Sequence, residues 1–369
     1  MSVTDRFALS DLSVPIVGAP MAGGPSTPAL AAAVSNAGGL GFLAGGLVSA
    51  QRLADDIVAA RKLTSGPIGV NLFVPQPHLS TLSEFNAFAA ALAPETERYG
   101  VPLGEPRRGE DDTVAKLDVV CELRPEVVSF TFGSPTKAEC RRLASAGILA
   151  VATVTTVREA EIALLCGVDA VVAQGPCAGG HRATFDPLAA PADDPLDALV
   201  AALTFGLDCP VVAAGGLATA SDVQRVRDNG ATAAQIGTAL LLADEAGPHR
   251  VHRAALCEAQ FDQTAVTRAF TGRYARALRN RFIDEHEHDA VFGFPEVAMM
   301  TGPIQAAALK IGDPHGIALW AGAAFKQAKP GSAVDIVRDL AGETGRSGQA
   351  WNGRSPRCNV HPNEEGIRQ

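Results

Sequence analysis

The segment QGPCAGGHRATFD, Gln174 to Asp186, holds the densest set of chemically useful residues in this 369-residue chain. Three glycines, Gly175, Gly179 and Gly180, let its backbone lie close to whatever it faces. Gln174 offers an amide, and His181 has the side chain that exchanges protons near neutral pH. That combination suits a base or a hydrogen-bond donor acting on a bound molecule; the plainer alternative is a turn with a solvated histidine. Cys177, in the same loop, is either a nucleophile or a small thiol filling loop packing, and no partner base other than His181 is evident. Two later segments have glycines of another kind. AAGGLATASD places Gly215 and Gly216 just before Ala218-Thr219-Ala220, where the N–H groups of a starting helix suit an anion, and QIGTALL sets Gly237 and Thr238 behind Gln235. A tight turn explains one Gly-Gly, but two such loops in succession read as a cradle for a phosphate group. Asn71 interrupts the apolar run IGVNLF, and Met21 follows the apolar run VPIVGAP. Asn71 is either a satisfied core amide or a contact to a ligand ring. His286 and His288, in HEHD, lie two residues apart, which puts their rings on different helix faces. With no third ligand marked, we read a solvated helix there and no metal site.

Eight short apolar runs are available to hold these segments together: Val14 to Met21, Leu40 to Gly45, Ile68 to Phe73, Val127 to Gly133, Ile148 to Val154, Ala170 to Gly175, Pro210 to Gly216 and Ala233 to Leu242. Each is bounded by Gly, Pro or charge and followed by a helical stretch or an insertion, as in a parallel sheet with helical crossovers. Eight is the number that closes a TIM (β/α)8 barrel, and that fold carries phosphate sites after its last two strands and chemistry at the C-terminal strand ends. A doubly wound open sheet is the alternative, but it puts its glycine-rich turn after the first strand. We therefore expect an α/β chain with barrel parts at 1–74 and 113–244 and an insertion over the mouth at 75–112. A helical, charged cap is expected at 245–310 and a C-terminal helix and tail at 311–369.

Composition narrows the function classes. Against 40 acidic residues stand 31 basic ones, a formal charge of -9, with no Lys/Arg block able to follow a phosphate backbone, so nucleic acid is not an expected partner. No apolar run reaches the roughly 18–20 residues of a membrane span, and the first residues do not read as a signal peptide, which points to the cytoplasm. Seven cysteines, an odd number without paired C-x-x-C spacing, read as free and mostly buried thiols.

Taken in order, APMAGG, GVNLF, SFTFG, QGPCAGGH, AAGG and QIGTALL resemble the nitronate monooxygenase family, formerly called 2-nitropropane dioxygenase, from about Pro15 to Ala323. Trp320 to Gly322 echoes that family's C-terminal LWAGQ, with Ala323 in place of Gln. The resemblance implies FMN as cofactor, with Met21, Asn71, Gln174, Gly179, Gly216, Gln235, Gly237 and Thr238 as its contacts and His181 as the active-site histidine. Gly180 and Gly215 join that set from the loop reading above. It further implies oxidation of a nitronate or nitroalkane by O2 to a carbonyl compound and nitrite, with a homodimer left open as the assembly. Two departures stand out: Cys177 occupies a position where the family commonly has Glu, and EVAMMTGP lacks the tyrosines of one bacterial class. Flavin-dependent enoyl-acyl-carrier-protein reductase is similar in barrel and FMN motifs and remains the alternative, or else another small-molecule flavin oxidoreductase.

Overall fold

Successive residues of a strand face opposite sides, so a strand covered on both faces needs apolar partners on each. The computed structural model, which describes residues 6–107 and 112–343, meets that need strand by strand. Val17, Val127, Val151, Val172 and Val212 point into one inner core. Their neighbours Ile16, Val128, Ala152, Val171 and Val211 belong to the larger core against the surrounding helices.

The elements run β1 (Ile16–Gly18), α1 (Pro28–Asn36), β2 (Gly41–Ala44), α2 (Ala50–Leu63), β3 (Ile68–Phe73), α3 (Leu82–Ala91), α4 (Ala93–Tyr99), α5 (Thr113–Leu123) and β4 (Val127–Thr131). The chain continues through α6 (Lys137–Ser145), β5 (Leu149–Val154), α7 (Val157–Cys166), β6 (Ala170–Gln174), β7 (Gly180–His181), α8 (Leu196–Gly206), β8 (Val211–Ala214), α9 (Ala220–Asp228) and β9 (Ala233–Ile236). After these come α10 (Arg250–Cys257), β10 (Thr264–Thr267), β11 (Ala275–Leu278), α11 (Arg281–His286), α12 (Glu296–Ile311) and α13 (Ala333–Leu340). Ser and Thr side chains accept from backbone amides at the starts of α1, α2, α3, α6, α7, α9 and α13, which places the loop-to-helix turns.

Eight parallel strands follow the order β1-β9-β8-β6-β5-β4-β3-β2. Leu40, just before β2, bridges Val17 of β1 and returns the sheet to its start, so the fold is the expected TIM barrel. Leu9 packs among the N-terminal strand residues and closes that end. The C-terminal ends are left to the cap.

The cap differs in kind from the helical reading of 245–310. Residues 264–278 form an antiparallel hairpin, β10 with β11, and β7 joins it in a three-stranded sheet ordered β10-β11-β7. The period-two pattern of TAVT and ARAL around a Thr-Gly turn was a strand signal that the neighbouring charges concealed. Insertion helices and later elements share one core, in which Phe85 and Phe88 meet Phe270, Phe282, Val297 and Met300. Beside it the fully buried Glu95 receives Arg281 through Nη1 at 2.5 Å and Nη2 at 2.8 Å, with His286 Nε2 at 3.4 Å. The solvated reading of HEHD therefore fails for His286, which is buried, and holds for the exposed His288. Glu95, Glu285 and His286 do converge, but the Arg281 guanidinium already links the two carboxylates.

Of the six described cysteines only Cys140 is buried, while Cys177 and Cys257 are exposed, against the expectation of mostly buried thiols. Among the described residues no helix is long and apolar enough to cross a membrane. The polar tail with Cys358, and residues 108–111 of the insertion, lie outside the described residues.

Candidate active site at the barrel mouth

His181 owes its position to two sheets. Barrel strand β6 ends at Gln174, and the chain loops out and returns as β7, where His181 pairs with Ala275 of β11. Gln174 fixes this return by donating from Nε2 to the His181 carbonyl at 3.0 Å and accepting the Ala183 amide on Oε1 at 3.0 Å. Glu159, at the start of α7, takes the Thr155 and Phe185 amides and so ties down the far end of the loop. The half-buried imidazole then lies among the rings of Phe132, Phe294 and Trp320, at centroid distances of 5.6, 5.2 and 5.3 Å. Its Nε2 is 2.9 Å from Thr271 Oγ1. Burial among these rings, with the Arg273 charge added, pushes the imidazole down to about 3, so the ring is neutral at physiological pH.

Two arginines, each 1% exposed, lie behind the histidine. Arg182 binds the Gly175 and Ala192 carbonyls. Arg273 binds the Thr184 carbonyl and Gln76 Oε1 and sits 4.1 Å over the Phe132 ring. Among the described residues neither has a carboxylate within 4.0 Å. Burial pushes both down to about 10, which leaves both charged at neutral pH. Phe132 itself has φ +77°, a left-handed backbone that costs a bulky residue about 1–3 kcal/mol. It is held there by Gln76, which donates to the Phe132 carbonyl at 3.0 Å while accepting from Arg273 at 2.6 Å. The mouth thus combines a neutral base, an apolar cage and the buried positive charge of Arg273, which together favour a small anion with an apolar body.

On the other side lie the glycine loops. Gly216 has φ +75°, and a Cβ there would meet Cys177 Cβ at 2.8 Å; Gly215 similarly abuts Ala178 N at 3.0 Å. A Cβ on Gly179 would strike Gly322 N at 2.4 Å, and Gly322 N in turn donates to Thr238 Oγ1 at 2.9 Å. These contacts draw the β6, β8 and β9 loops and the Trp320–Ala323 segment together. Gly237 is different. Its φ is -111° and a Cβ would meet only Ala19 Cβ at 3.5 Å and Met21 Sδ at 3.9 Å, so neither strain nor protein packing calls for glycine there. Gly180 also has nothing within 4 Å of a Cβ, but its φ of +74° by itself favours glycine. Space kept clear beside two such loops fits a phosphate group.

A sequence model of the family described as nitronate monooxygenase matches residues 6–343. The chain belongs to the nitronate monooxygenase family. It is 37% identical over 351 residues to a nitronate monooxygenase of Pseudomonas aeruginosa, covering 92% of this chain and 99% of that protein. A probable nitronate monooxygenase of Staphylococcus aureus is 36% identical over 338 residues, 89% of this chain and 94% of that one. Among solved structures, nitroalkane oxidase from Streptomyces ansochromogenes superposes with TM-score 0.87 at 45% identity, covering 91% of this chain and 97% of that one. FabK from Thermotoga maritima does so at 0.70 and 25%, covering 91% and 94%. The chain is accordingly a flavin-dependent oxidoreductase in the general sense of the nitronate monooxygenase family.

Against that family background the sequence-read residues divide. His181, Gln174, Gly179, Gly180, Gly215, Gly216, Gly237 and Thr238 belong to the connected loops, and Met21 borders Gly237. Asn71 is buried in β3 with its amide on Ser129 Oγ and Thr131 Oγ1, both at 2.9 Å. Gln235 borders the small space inside the barrel among Val17, Val172 and Val212. One detail of the cradle is corrected: the Ala218 and Thr219 amides at the start of α9 are not free, because the Asp222 carboxylate takes both. Tyr99 bonds Asp313 and Tyr274 meets Phe292 edge-on, so neither is among the rings around His181. Sequence reading passed over Arg182 and Phe132, which lie within the quoted motifs, and Thr271, Arg273 and Phe294, which lie far from them in sequence and carried no signal.

Proposed function

We propose that this protein binds FMN and oxidises alkyl nitronates with O2, giving carbonyl compounds and nitrite. The observation that carries the reading is the neutral His181 in its aromatic cage, backed by two buried guanidiniums that have no carboxylate within 4.0 Å among the described residues. A nitronate matches that cage in charge and in apolar body. Gly180, Gly215, Gly216, Gly237 and Thr238 would hold the phosphate end of FMN, while Gln174, Asn71, Gln235, Gly179 and Met21 are proposed along its ring side. Bound FMN supplies the electron exchange between substrate and oxygen. The residues of the chain do the rest. Arg182 and Arg273 attract the anion, and the rings of Phe132, Phe294 and Trp320 exclude water around it. With a neutral nitroalkane, His181 takes the proton from the carbon bearing the nitro group, leaving a nitronate beside the new imidazolium. That anion offsets the charge burial that otherwise keeps the ring neutral.

Three measurements test this reading. The purified protein is expected to be yellow with about one non-covalent FMN per chain, as a single phosphate cradle requires. A colourless protein that FMN cannot reconstitute sinks the proposal. Nitronate-dependent oxygen uptake with slow flavin reduction by NADPH is the expected reactivity; fast NADPH reduction with no nitronate turnover would assign the reductase chemistry instead. Gly237→Val should then weaken FMN retention by at least about tenfold, or about 1.4 kcal/mol, with the fold intact, since only the space for phosphate is filled. Unchanged FMN affinity in that variant would remove Gly237 from the cradle.

A further inference from the structure

We propose that Thr271 is the positioning residue that selects the tautomer of His181, keeping Nε2 protonated so that Nδ1 is the nitrogen offered to substrate. The inference rests on the reading of His181 as proton acceptor given above. Thr271 is buried in the turn that leads into β11, and the pairing of His181 with Ala275 on that strand holds the two side chains in register. Its hydroxyl oxygen lies 2.9 Å from His181 Nε2 and 3.3 Å from the Arg273 carbonyl. A hydroxyl has one hydrogen. The carbonyl can only accept, whereas an imidazole nitrogen can accept or donate. Donation to the carbonyl and acceptance from Nε2–H satisfies all three groups. The reverse assignment strands the carbonyl and moves the imidazole hydrogen to Nδ1, which then has no lone pair for a proton.

The surroundings favour the same result. The ring neighbours Phe132, Phe294 and Trp320 offer Nδ1 no strong acceptor, and among the described residues Nδ1 has no hydrogen bond of its own. His181 is only half-buried, and Nδ1 is not among the buried atoms lacking a partner, so that nitrogen is reachable. When Nδ1 takes a proton, Nε2–H stays on Thr271 and the ring need not turn. The Phe132 ring, capped by the Arg273 guanidinium at 4.1 Å, forms one wall of the cage and meets the imidazole edge-on.

The test uses the full chain with its flavin as purified and histidine labelled with 15N, the His181 signals being those lost in His181→Asn. The wild type is expected to show a protonated Nε2 and an unprotonated Nδ1. Thr271→Val, which keeps the shape and deletes the hydroxyl, should move population to Nδ1–H, and Thr271→Ser should restore the original tautomer. In turnover, Thr271→Val should lose roughly 10- to 100-fold on nitroethane, the loss typical when the group orienting a functional histidine is removed. Preformed ethyl nitronate, which needs no proton removed, should change by less than about twofold. A wild-type Nδ1–H, or a Thr271→Val protein with unaltered tautomer, overturns the proposal; the wild-type spectrum decides even if the Val variant fails to fold. Failure of the functional reading looks different: no turnover of nitroethane or ethyl nitronate by the wild type, with the tautomer still dependent on Thr271.

Discussion

Replacement of His181 by Asn is expected to leave FMN bound and to lower turnover of neutral nitroalkanes by roughly 10²- to 10⁴-fold, the range for a lost general base. FMN should stay because His181 binds the loops through its backbone, which pairs with β11 and accepts from Gln174, and Asn keeps that backbone. Preformed nitronates should lose much less, because their proton is already gone. The comparison of the two substrates therefore separates proton removal from charge stabilisation. Equal losses on both would make His181 a group that stabilises the anion or the reduced flavin, and no loss on either would reduce it to a cage wall. Acid pH gives a second readout. Since the imidazole is pushed down to about 3 from an ordinary value of 6.5, nitroalkane turnover should not fall with a histidine-like midpoint near 6.5 as pH drops. The stability sign follows from the same shift. The unfolded chain binds this proton first, so His181 contributes stability above 6.5 that is lost as pH falls toward 3, and His181→Asn should flatten that part of the curve.

The second large effect lies in the cap. Glu95→Gln is expected to destabilise the protein by about 3 kcal/mol in urea unfolding, because it leaves Arg281 and His286 without the carboxylate they enclose. The estimate sits at the low end for a broken buried pair since Arg281 is 20% exposed and keeps Glu285 at 2.6 Å. Burial alone pushes the Glu95 carboxyl up, but the His286 and Arg281 contacts outweigh it and hold it at about 2. A depressed acid contributes stability that is present above its unfolded value, near 4.5, and is lost as pH falls toward 2; Glu95→Gln should remove that dependence. If Glu95→Gln and Arg281→Met together cost no less than the sum of the two single changes, the pair is not coupled and the account fails.

The barrel was legible in the sequence because a strand buried on both faces must be a short continuous apolar run, and eight such runs bounded by Gly or Pro stand out one by one. VVSFTFG and AVVAQG needed no partner to be recognised as strands. Gly-rich strand ends were legible for a related reason: absence of a side chain is itself the signal when a backbone must approach a ligand. The hairpin of β10 and β11 was not, since TAVT and ARAL are short, carry charge nearby, and become strands only when β7 completes their sheet.

The order of the apolar runs and their glycine ends thus determined the fold class and singled out His181 at a strand end as the candidate for chemistry, because these depend on local period and backbone freedom. Tertiary structure alone decided what His181 can do. Its ring neighbours come from the residue after β4, from the residues before α12 and from the Trp320 segment, its hydrogen-bond partner Thr271 lies 90 residues away in sequence, and the charge of Arg273 acts on it across Phe132. Those contacts set its charge and tautomer. Both are properties of the field around a group, and no sequence spacing encodes a field that is assembled only when distant segments meet.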